Sequence, residues 1–600
     1  MKITFQKISR WLLLACLLAS LGRFSSLAAT LTVSPAVISN TYPGVITLQI
    51  GGLTNSETVT VQKWLDANAN GSIDAGEPVM EVIKIADGGA MIIGGITNIN
   101  VPFDSNSNTG AITTRLNFAP PLAVENVVGK FIFKLLSPTG NFPPVTATFT
   151  VTNAATAQSV SGVIYSNGVA PLPGAIVVAI QQPNFNYAGG AVADATGHYS
   201  LNLNPGTYAL IAGNPGYYYD EALAPLVVLT NGVSATNNLS LTNGAVTISG
   251  NVFDAGNSNG VGGVMLQIEQ SGGSLFAIAF TDTNGNYSAA VAPSFWKISP
   301  IKERLARRAY VSPQNKLQVN ATAGNVTNAS ISLFKGTALF YGRITDNASV
   351  PFANIEFDCG DGGTNNLYSA KGVSDANGYY AVVALGGVSS DWNSSPTSGN
   401  NLALANYVVN SFNNTNIALG QAILQNYLPL PVTGHISGRV LDNVGNPVTG
   451  VSLYASQFTS GNNYSSLNSE TDVSGNYLLG VANGSWQVYF SFGNNDLSTH
   501  GLVDLFQPYN VTIPPTNVTL NITVYPFGST AMSQPQRFSS TQFGFNLNGS
   551  VGVTYDVQTS TNLASTNWAT LFSLTLTNSP FPVTDTHATN SQRYYRVKKN

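Results

Sequence analysis

Short runs in which apolar and polar residues alternate recur along the whole chain. The clearest is Val145-Thr-Ala-Thr-Phe-Thr-Val151, in which every second residue is apolar. A period of two places successive side chains on opposite faces of a β-strand. Residues 58–61 and 79–85 have a similar strand-like character. The pattern predicts an all-β protein.

Between residues 158 and 243 such runs are separated by turn residues at short intervals. The predicted strands are 160–165, 175–182, 189–193, 199–203, 207–213, 224–229 and 235–241. Many short strands with frequent turns are typical of a β-sandwich. We therefore expect a string of Greek-key β-sandwich domains in a row, forming an extended multidomain rod.

One six-residue motif occurs four times along the chain. Its copies are Asp194-Ala-Thr-Gly-His-Tyr199, Asp282-Thr-Asn-Gly-Asn-Tyr287, Asp375-Ala-Asn-Gly-Tyr-Tyr380 and Asp472-Val-Ser-Gly-Asn-Tyr477. The Asp side chain can accept a hydrogen bond from the backbone two residues ahead, and the Gly adopts the positive φ of a tight turn. The Tyr then begins a strand. We interpret the motif as a structural turn that carries no ligand.

Each motif stands at a fixed distance from an earlier glycine in a strand-like opening. From Gly162, Gly250, Gly342 and Gly438 to the motif Asp the distances are 32, 32, 33 and 34 residues. A repeat of about 90 residues is long enough to form an independent small β domain. The predicted organisation is a signal peptide (1–29), a β domain with a calcium-loop motif (30–157), repeat 1 (158–243), repeat 2 (244–336), repeat 3 (337–433), repeat 4 (434–526) and a C-terminal β module (527–600).

The repeats also share a second strand, as in Pro173-Gly-Ala-Ile176, and a later Pro205-Gly-Thr-Tyr208. Together with the opening glycine and the Asp-x-x-Gly-x-Tyr turn, these features resemble carboxypeptidase regulatory-like domains, a transthyretin-like sandwich family. The resemblance covers residues 158–526 and is weakest in repeat 3. Staphylococcal B-type repeats are a second family that they resemble.

The C-terminal residues carry a different pattern. Tyr555-Asp-Val-Gln-Thr-Ser-Thr-Asn-Leu563, Trp568, Asp585 and Arg593-Tyr-Tyr-Arg-Val597 resemble a terminal module of secreted proteins from Verrucomicrobia and related bacteria. This resemblance implies a bacterial source and leaves sorting and surface attachment open as roles.

The N-terminus has the features of a secretory signal. Basic residues precede an apolar run at 11–21, and small residues follow it, so we expect cleavage near Ala28 or Ala29. The run is too short to span a bilayer, and we expect no transmembrane span in the mature chain. The alternative is lipid attachment at Cys16, within Leu13-Leu-Ala-Cys16. Either way the protein is predicted to be secreted or held at the cell surface.

The net charge bears on the class of binding partner, and the cysteine content bears on disulfide bonds. The four basic residues before Thr30 leave with the signal, so the mature chain keeps 20 basic and 28 acidic residues, a net charge of −8. This balance argues against nucleic acid as a partner. Cys359 is then the only cysteine, which excludes an internal disulfide, and we expect it to be a small buried side chain.

The most specific ligand motif is Asp66-Ala-Asn-Ala-Asn-Gly-Ser-Ile-Asp-Ala-Gly-Glu77, which matches a calcium loop at every fixed position. The predicted ligands are Asp66, Asn68, Asn70, Ser72 (through its carbonyl), Asp74 and Glu77, with Gly71 at the bend. Strands are predicted on both sides, and Pro78 disfavours a helix after Glu77. We expect a structural Ca²⁺ held between strands, with an affinity on the order of 10⁻⁴–10⁻³ M. The alternative is an Asn/Gly-rich turn without metal.

Two further segments look like incomplete copies of this loop. Residues 104–110 and 254–260 are rich in Asp, Asn and Gly but have no closing acid at the required spacing. We expect turns without metal there. The basic segment 297–310 is predicted to be a solvated insertion with a short helix after Pro300 as one conformation open to it; the alternative is a contact site for an anionic polymer.

No motif indicates catalysis. The four histidines are scattered, and we predict that the protein is not an enzyme. The favoured function is a non-catalytic spacer, adhesion or presentation scaffold, with an extracellular polysaccharide or cell-surface polymer as a possible partner, and we expect a monomer. A carbohydrate-binding protein is the alternative, with Tyr217–Tyr219 in a Gly/Pro loop as candidate stacking rings; an unrecognised hydrolase is a third. Trp296, Trp392 and Trp486 occupy similar repeat positions, which favours a role in the cores.

Overall fold

The computed structural model describes residues 28–118, 126–182, 186–361, 367–388, 391–397, 404, 406–459, 461–491, 497–514, 517–564 and 566–600. Nearly all regular structure in these ranges is β-strand, which confirms the predicted all-β fold. The predicted signal segment lies outside the described residues apart from Ala28 and Ala29. Within these ranges, no helix has both the length and the apolar character needed to cross a membrane.

The first region is a sandwich of two sheets. Its strands are β1 (Thr30–Ser34), β2 (Val37–Ser39), β3 (Val45–Gly51), β4 (Thr58–Leu65), β5 (Val79–Ala86), β6 (Ile92–Ile93), β7 (Ile96–Thr97), β8 (Ile112–Asn117), β9 (Gly129–Leu136) and β10 (Val145–Thr152). One sheet has the order β1-β3-β8 and the other β2-β10-β9-β4-β5, while β6 and β7 form a separate hairpin. The alternation in β3 and β8 buries one face of each strand against Phe118 and Phe149.

Repeats 1 and 2 are each built from a succession of short strands with one 3-10 helix among the described residues. Repeat 1 contains β11 (Ser159–Ser166), β12 (Ala170–Pro171), β13 (Ile176–Gln181), β14 (Asn186–Val192), β15 (His198–Asn202), β16 (Gly206–Gly213), β17 (Tyr217–Asp220), a 3-10 helix (Glu221–Leu223), β18 (Leu226–Leu229), β19 (Ala235–Thr236) and β20 (Leu239–Asn243). Repeat 2 contains β21 (Val246–Asp254), β22 (Met265–Gln270), β23 (Leu275–Phe280), β24 (Asn286–Val291), β25 (Phe295–Pro300), a 3-10 helix (Lys302–Arg308), β26 (Tyr310–Pro313), β27 (Leu317–Asn320) and β28 (Ile331–Lys335).

Repeats 3 and 4 are also built from a succession of short strands. Repeat 3 contains β29 (Ala338–Arg343), β30 (Glu356–Asp361), β31 (Tyr368–Val373), β32 (Tyr379–Ala384), β33 (Asp391–Pro396), β34 (Tyr407–Ser411), β35 (Thr415–Asn416), β36 (Ala422–Leu424) and β37 (Leu430–Pro431). Repeat 4 contains β38 (Gly434–Asp442), β39 (Ser452–Thr459), β40 (Asn462–Ser465), β41 (Ser469–Glu470), β42 (Asn476–Val481), β43 (Gly484–Phe490), a 3-10 helix (Leu497–His500), β44 (Leu502–Val503), β45 (Tyr509–Ile513), β46 (Val518–Thr519) and β47 (Ile522–Pro526).

The C-terminal module consists of two small sheets. Its strands are β48 (Thr530–Arg537), β49 (Phe543–Gly549), β50 (Thr554–Ser560), β51 (Ala569–Thr575), β52 (Phe581–Asp585) and β53 (Tyr594–Lys599). The sheets have the orders β48-β49-β52 and β51-β50-β53. They bury Leu547, Tyr555 and Val557 between them.

The repeated Asp-x-x-Gly-x-Tyr motif forms a turn in all four repeats. In repeat 1, the Asp194 carboxylate accepts hydrogen bonds from the backbone N–H groups of Thr196 (2.8 Å) and His198 (3.0 Å). Gly197 has a φ of 74°, a left-handed conformation that favours glycine. The other three copies bind their backbone in the same way through Asp282, Asp375 and Asp472. The interpretation as a structural turn is confirmed.

The opening glycine and the motif tyrosine of each repeat meet at one backbone carbonyl. In repeat 1, the Tyr199 hydroxyl donates to the Asn237 carbonyl oxygen at 2.7 Å, and a Cβ atom on Gly162 would lie 1.8 Å from that same oxygen. The equivalent sets are Gly250, Tyr287 and Ala329; Gly342, Tyr380 and Gln425; and Gly438, Tyr477 and Leu520. The fixed spacing between glycine and motif therefore reflects a close approach of the repeat's last strands to its first.

One strand of each of the first three repeats belongs to two domains at once. These linking strands are β17, β26 and β34. Each pairs with a late strand of its own repeat, namely β20, β28 and β37, and each also pairs with a strand of the following repeat, namely β23, β31 and β40. Sheets therefore continue across all three boundaries between repeats.

The first linking strand corrects one sequence interpretation. Tyr217–Tyr219 was predicted to lie in a Gly/Pro loop, yet these residues form most of β17. Tyr219 is buried and donates to the Leu210 carbonyl oxygen at 3.1 Å, while Tyr218 packs against the core of repeat 2. The prediction was wrong because three consecutive tyrosines lack the alternation that identifies a strand buried on one face.

Candidate metal site

The predicted calcium loop connects β4 to β5, so strands flank it on both sides as expected. The Leu65 N–H donates to the Pro78 carbonyl oxygen at 3.1 Å, which closes the loop at its base. Asp66 is buried and its N–H donates to the Lys130 carbonyl oxygen of β9 at 3.0 Å. Gly71 has a φ of 80°, as the sharp bend requires.

Three of the predicted ligands converge on one point. The side-chain amides of Asn68 and Asn70 both donate to Oδ2 of Asp74, each at 2.7 Å. A cation at this point would need both amides to turn so that their oxygens face inward. Such a rotation turns a side-chain torsion with broad, roughly two-fold minima. It also gives up the hydrogen bonds that the two amide oxygens accept from the N–H groups of Asn70 and Ser72.

Two other predicted ligands hold the loop in shape. Asp66 accepts from the N–H of Asn70 at 3.0 Å and from the N–H of Gly71 at 2.9 Å. Glu77 accepts from the N–H of Ala67 at 2.7 Å and from the N–H of Asp74 at 2.9 Å. Both carboxylates thus point into the loop, bonded to its backbone.

Ser72, the sixth predicted ligand, lies at the exposed tip of the loop. Its N–H donates to Oδ1 of Asn70 at 2.7 Å. Within the described ranges, no three His, Cys, Asp or Glu side chains are gathered closely enough to hold a metal ion. A cation in this loop would therefore depend on the Asn68 and Asn70 oxygens and on the backbone as well as on carboxylates.

The loop also touches the next domain. Gly174, in the turn before β13 of repeat 1, has a φ of 70°, and a Cβ atom there would lie 2.9 Å from Cβ of Ala67. The loop is therefore part of the contact between the first region and repeat 1.

The two incomplete loops are hydrogen-bonded turns. Asp104 accepts from the N–H groups of Asn106 and Thr113, and from that of Gly88 through its second oxygen. Asp254 accepts from the N–H of Gly256 and, at 3.0 Å, from the hydroxyl of Tyr310. Their carboxylates already have protein partners, consistent with the prediction of turns.

The candidate aromatic platforms are mostly in the cores. Trp296, Trp392 and Trp486 are all at most 1% exposed, as predicted for core positions. Cys359 is also fully buried, and burial raises the pKa of its thiol. None of these side chains presents a surface to a ligand.

The basic segment 297–310 departs most from expectation. It was predicted to be a solvated insertion, but the 3-10 helix Lys302–Arg308 buries Arg304, Arg307 and Arg308 at 4–7% exposure. The prediction was wrong because Met80 and Glu81, the partners of Arg304 and Arg307, lie about 220 residues away in sequence, and Arg308 is held by carbonyl oxygens about 45 residues before it. The alternative was that this segment binds an anionic polymer. None of these three guanidinium groups is exposed to such a ligand.

Arg304 and Arg307 join the first region to repeat 2, while Arg308 is bonded within repeat 2 itself. Arg307 forms a salt bridge with Glu81 of β5 at 2.9 Å and also donates to the Asn117 carbonyl oxygen. Arg304 donates to the Met80 carbonyl oxygen at 2.6 Å, and Arg308 donates to that of Gly262 at 2.6 Å. The planar guanidinium group suits such a set of converging oxygen acceptors.

The same helix contributes to the contact between repeats 2 and 3. Glu303 lies 3.5 Å from Nζ of Lys371 in β31, which also forms ion pairs with Glu356 and with Asp358, the latter at 2.7 Å. Burial raises the pKa of Glu356 to about 7, an effect that Lys371 opposes. Burial by itself lowers the pKa of Lys371, but the three carboxylates together outweigh burial and raise that pKa. This cluster is consistent with a structural ion network between domains.

Comparisons with known proteins leave the family open. No family model and no curated protein matches the chain. Among solved structures, the Bacillus anthracis TIE protein is 13% identical with a TM-score of 0.16, covering 67% of this chain and 75% of that one. A streptococcal ancillary pilin is 12% identical with a TM-score of 0.16 (47% and 98% covered), and BcpA, the major pilin subunit of Bacillus cereus, is 12% identical with a TM-score of 0.14 (62% and 99% covered). Similarities this weak carry no argument about function, and the resemblance to carboxypeptidase regulatory-like domains stays a prediction.

Proposed function

We propose that this protein is a non-catalytic scaffold of the cell surface or extracellular space, in which joined β-sandwiches space or present other parts of the chain. The observation that carries the proposal is the continuity of sheets across the three boundaries between repeats. Backbone hydrogen bonds at each boundary fix the orientation of neighbouring domains better than a flexible linker does.

The contacts of the first region support the same role. It meets repeat 2 through the buried arginines and repeat 3 through Asn100, whose amide donates to the Ala381 carbonyl oxygen and accepts from the N–H of Val373 at 3.0 Å. Gly94 of the β6–β7 hairpin also lies against Ala422 of repeat 3. The first region thus contacts several repeats at once, and these contacts restrict the movement of the repeats relative to one another.

A glycan array separates this proposal from carbohydrate binding. We expect the full mature chain to give no signal above background, with or without millimolar calcium, because its tryptophans in the repeats are buried and its Tyr217–Tyr219 run is a strand. Reproducible binding to one class of glycan would overturn the scaffold proposal in favour of a lectin-like role.

We further propose that residues 66–77 bind Ca²⁺ through Asp66, Asn68, Asn70, Ser72, Asp74 and Glu77. The convergence of Asn68, Asn70 and Asp74 supports it, as does the fixed loop backbone. Because the loop touches repeat 1, bound calcium would stiffen that junction.

Calorimetric titration of the full mature chain tests the metal. We expect one site with a dissociation constant on the order of 10⁻⁴–10⁻³ M. The double variant Asp74→Asn and Glu77→Gln should lose the heat, since it removes two of the three carboxylates. Asp104→Asn, in a similar turn of the same domain, should leave it unchanged. Absence of heat from the unaltered chain at millimolar calcium would refute the proposal.

A further inference from the structure

The edge strand β18 of repeat 1 exposes an unusual apolar surface. It lies at the end of the sheet β14-β13-β16-β18. Leu226 and Val228 are 67% and 65% exposed, while Val227 and Leu229 between and beside them are buried. Leu223 just before the strand and Val233 just after it are also exposed.

The other three repeats have polar residues at the positions equivalent to Leu226 and Val228. The registers align Val227 with Val319, Thr415 and Val511, because these residues pair with the equivalent aromatic residues Tyr208, Trp296, Trp392 and Trp486. The exposed positions on either side are then Gln318 and Asn320 in repeat 2, Asn414 and Asn416 in repeat 3, and Asn510 and Thr512 in repeat 4. Every equivalent of Leu226 and Val228 is an amide or hydroxyl residue.

The chemistry of this strand indicates what it binds. An exposed edge strand offers unpaired backbone groups to another strand, and natural proteins usually protect such edges with charged residues or proline. Here Pro225 directly precedes the strand, but residues 226–229 themselves contain no proline. No charged residue occurs between Glu221 and Asp254, so charge neither repels a neutral partner nor attracts an ionic one. Aliphatic side chains also lack the flat rings on which sugars stack. The surface therefore fits an apolar β-strand.

We propose that β18 pairs in an antiparallel manner with β18 of a second copy of this chain. A neutral strand that is apolar at every position is self-complementary about a two-fold axis, as a symmetric dimer interface must be. The chain already joins its own sandwiches by edge-to-edge strand pairing at three junctions. The sequence alone led us to expect a monomer, and this surface goes beyond the scaffold role by making two scaffolds associate side by side.

The interface is small, which sets the expected strength. Four residues a side bury less than the roughly 1,200 Å² of a stable complex, so the dimer is weak and concentration-dependent. In sedimentation velocity of the full mature chain, the weight-average mass should rise towards that of a dimer over about a hundred-fold increase in concentration.

Matched lysine variants test the location. Val228→Lys should abolish the concentration dependence, because each dimer would hold two lysines close together at the new strand pair. Thr512→Lys changes the equivalent exposed position of repeat 4 and should dimerise like the unaltered chain. Hydrogen exchange of residues 226–229 should slow at high concentration in the unaltered chain and in Thr512→Lys, and stay fast in Val228→Lys.

Three results would overturn the proposal. The unaltered chain could stay monomeric at every concentration, the Val228→Lys variant could dimerise normally, or both lysine variants could lose dimerisation equally. None of these bears on the scaffold proposal, which depends on contacts within one chain.

Discussion

Replacing Arg307 with alanine should destabilise the contact between the first region and repeat 2 by about 3–5 kcal/mol, the usual consequence of leaving a buried charge without its partner. Glu81 is only 3% exposed and lies 2.9 Å from the Arg307 guanidinium. One of its oxygens, Oε1, has no hydrogen-bond partner among the described residues. Loss of Arg307 also removes the donor to the Asn117 carbonyl oxygen.

Hydrogen exchange on the full chain measures the loss of stability at the contact between the first region and repeat 2. Amides in β5 and in residues 302–308 should exchange faster in Arg307→Ala by a factor of about 150 or more, as this free energy implies. Arg115→Ala serves as a control, since Arg115 is an exposed arginine of the same sheet sandwich and should shift stability by less than about 0.5 kcal/mol. Adding Glu81→Gln to Arg307→Ala should restore part of the protection. Equal behaviour of the two arginine variants would show that the salt bridge does not hold the domains together.

Gly438→Ala should unfold repeat 4 or destabilise it by at least about 3 kcal/mol. The added Cβ would lie 1.8 Å from the Leu520 carbonyl oxygen, and backbone cannot move aside as a flexible side chain does. The strands that would separate are β38 and β46, together with the hydrogen bond from Tyr477 to the same oxygen. The substitution therefore breaks the feature common to all four repeats.

The matched control is Gly480→Ala, on β42 of the same repeat. Its nearest neighbours would be the methyl groups of Val432 at 3.3 Å, which can shift by a few tenths of an ångström. In urea titrations followed by hydrogen exchange, we expect Gly480→Ala to stay close to the unaltered chain and Gly438→Ala to lose protection across repeat 4. If both variants behave alike, the glycine spacing has a cause other than this close approach.

The sequence predicts structure that is local and repeated, and it misses contacts between distant parts of the chain. The turn geometry of Asp194 and Gly197 follows from residue types at adjacent positions, so four copies of the motif were enough to predict it. The burial of Trp296 and Trp486 followed from their equivalent positions in the repeats. The linking strand at Tyr217–Asp220 was missed because its residues do not alternate and because one of its two partner strands lies in the next domain.

The candidate site shows the same limit. The motif from Asp66 to Glu77 predicted a β-flanked loop, and the loop lies between β4 and β5. The convergence of Asn68 and Asn70 on Asp74 is a geometric fact that spacing alone does not provide. The burial of Arg304 and Arg307 was unpredictable for a further reason, since a basic run gives no indication of acceptors contributed by Met80 or Glu81.

Repeats 2 and 3 each carry both parts of the connection, a linking strand that pairs with the repeat that follows and a strand that receives the linking strand of the repeat before. A duplicated copy of such a repeat therefore contains both strands needed to pair with the repeat before it and the repeat after it. Tandem duplication could lengthen such a chain without new pairing strands. In repeat 4 the corresponding strand β44 pairs with β47 of its own domain, and the described residues of the C-terminal module contribute no strand to it. Among the described residues, β44 therefore has no partner strand in a following domain. A fifth repeat inserted after residue 526 could pair its receiving strand with β44.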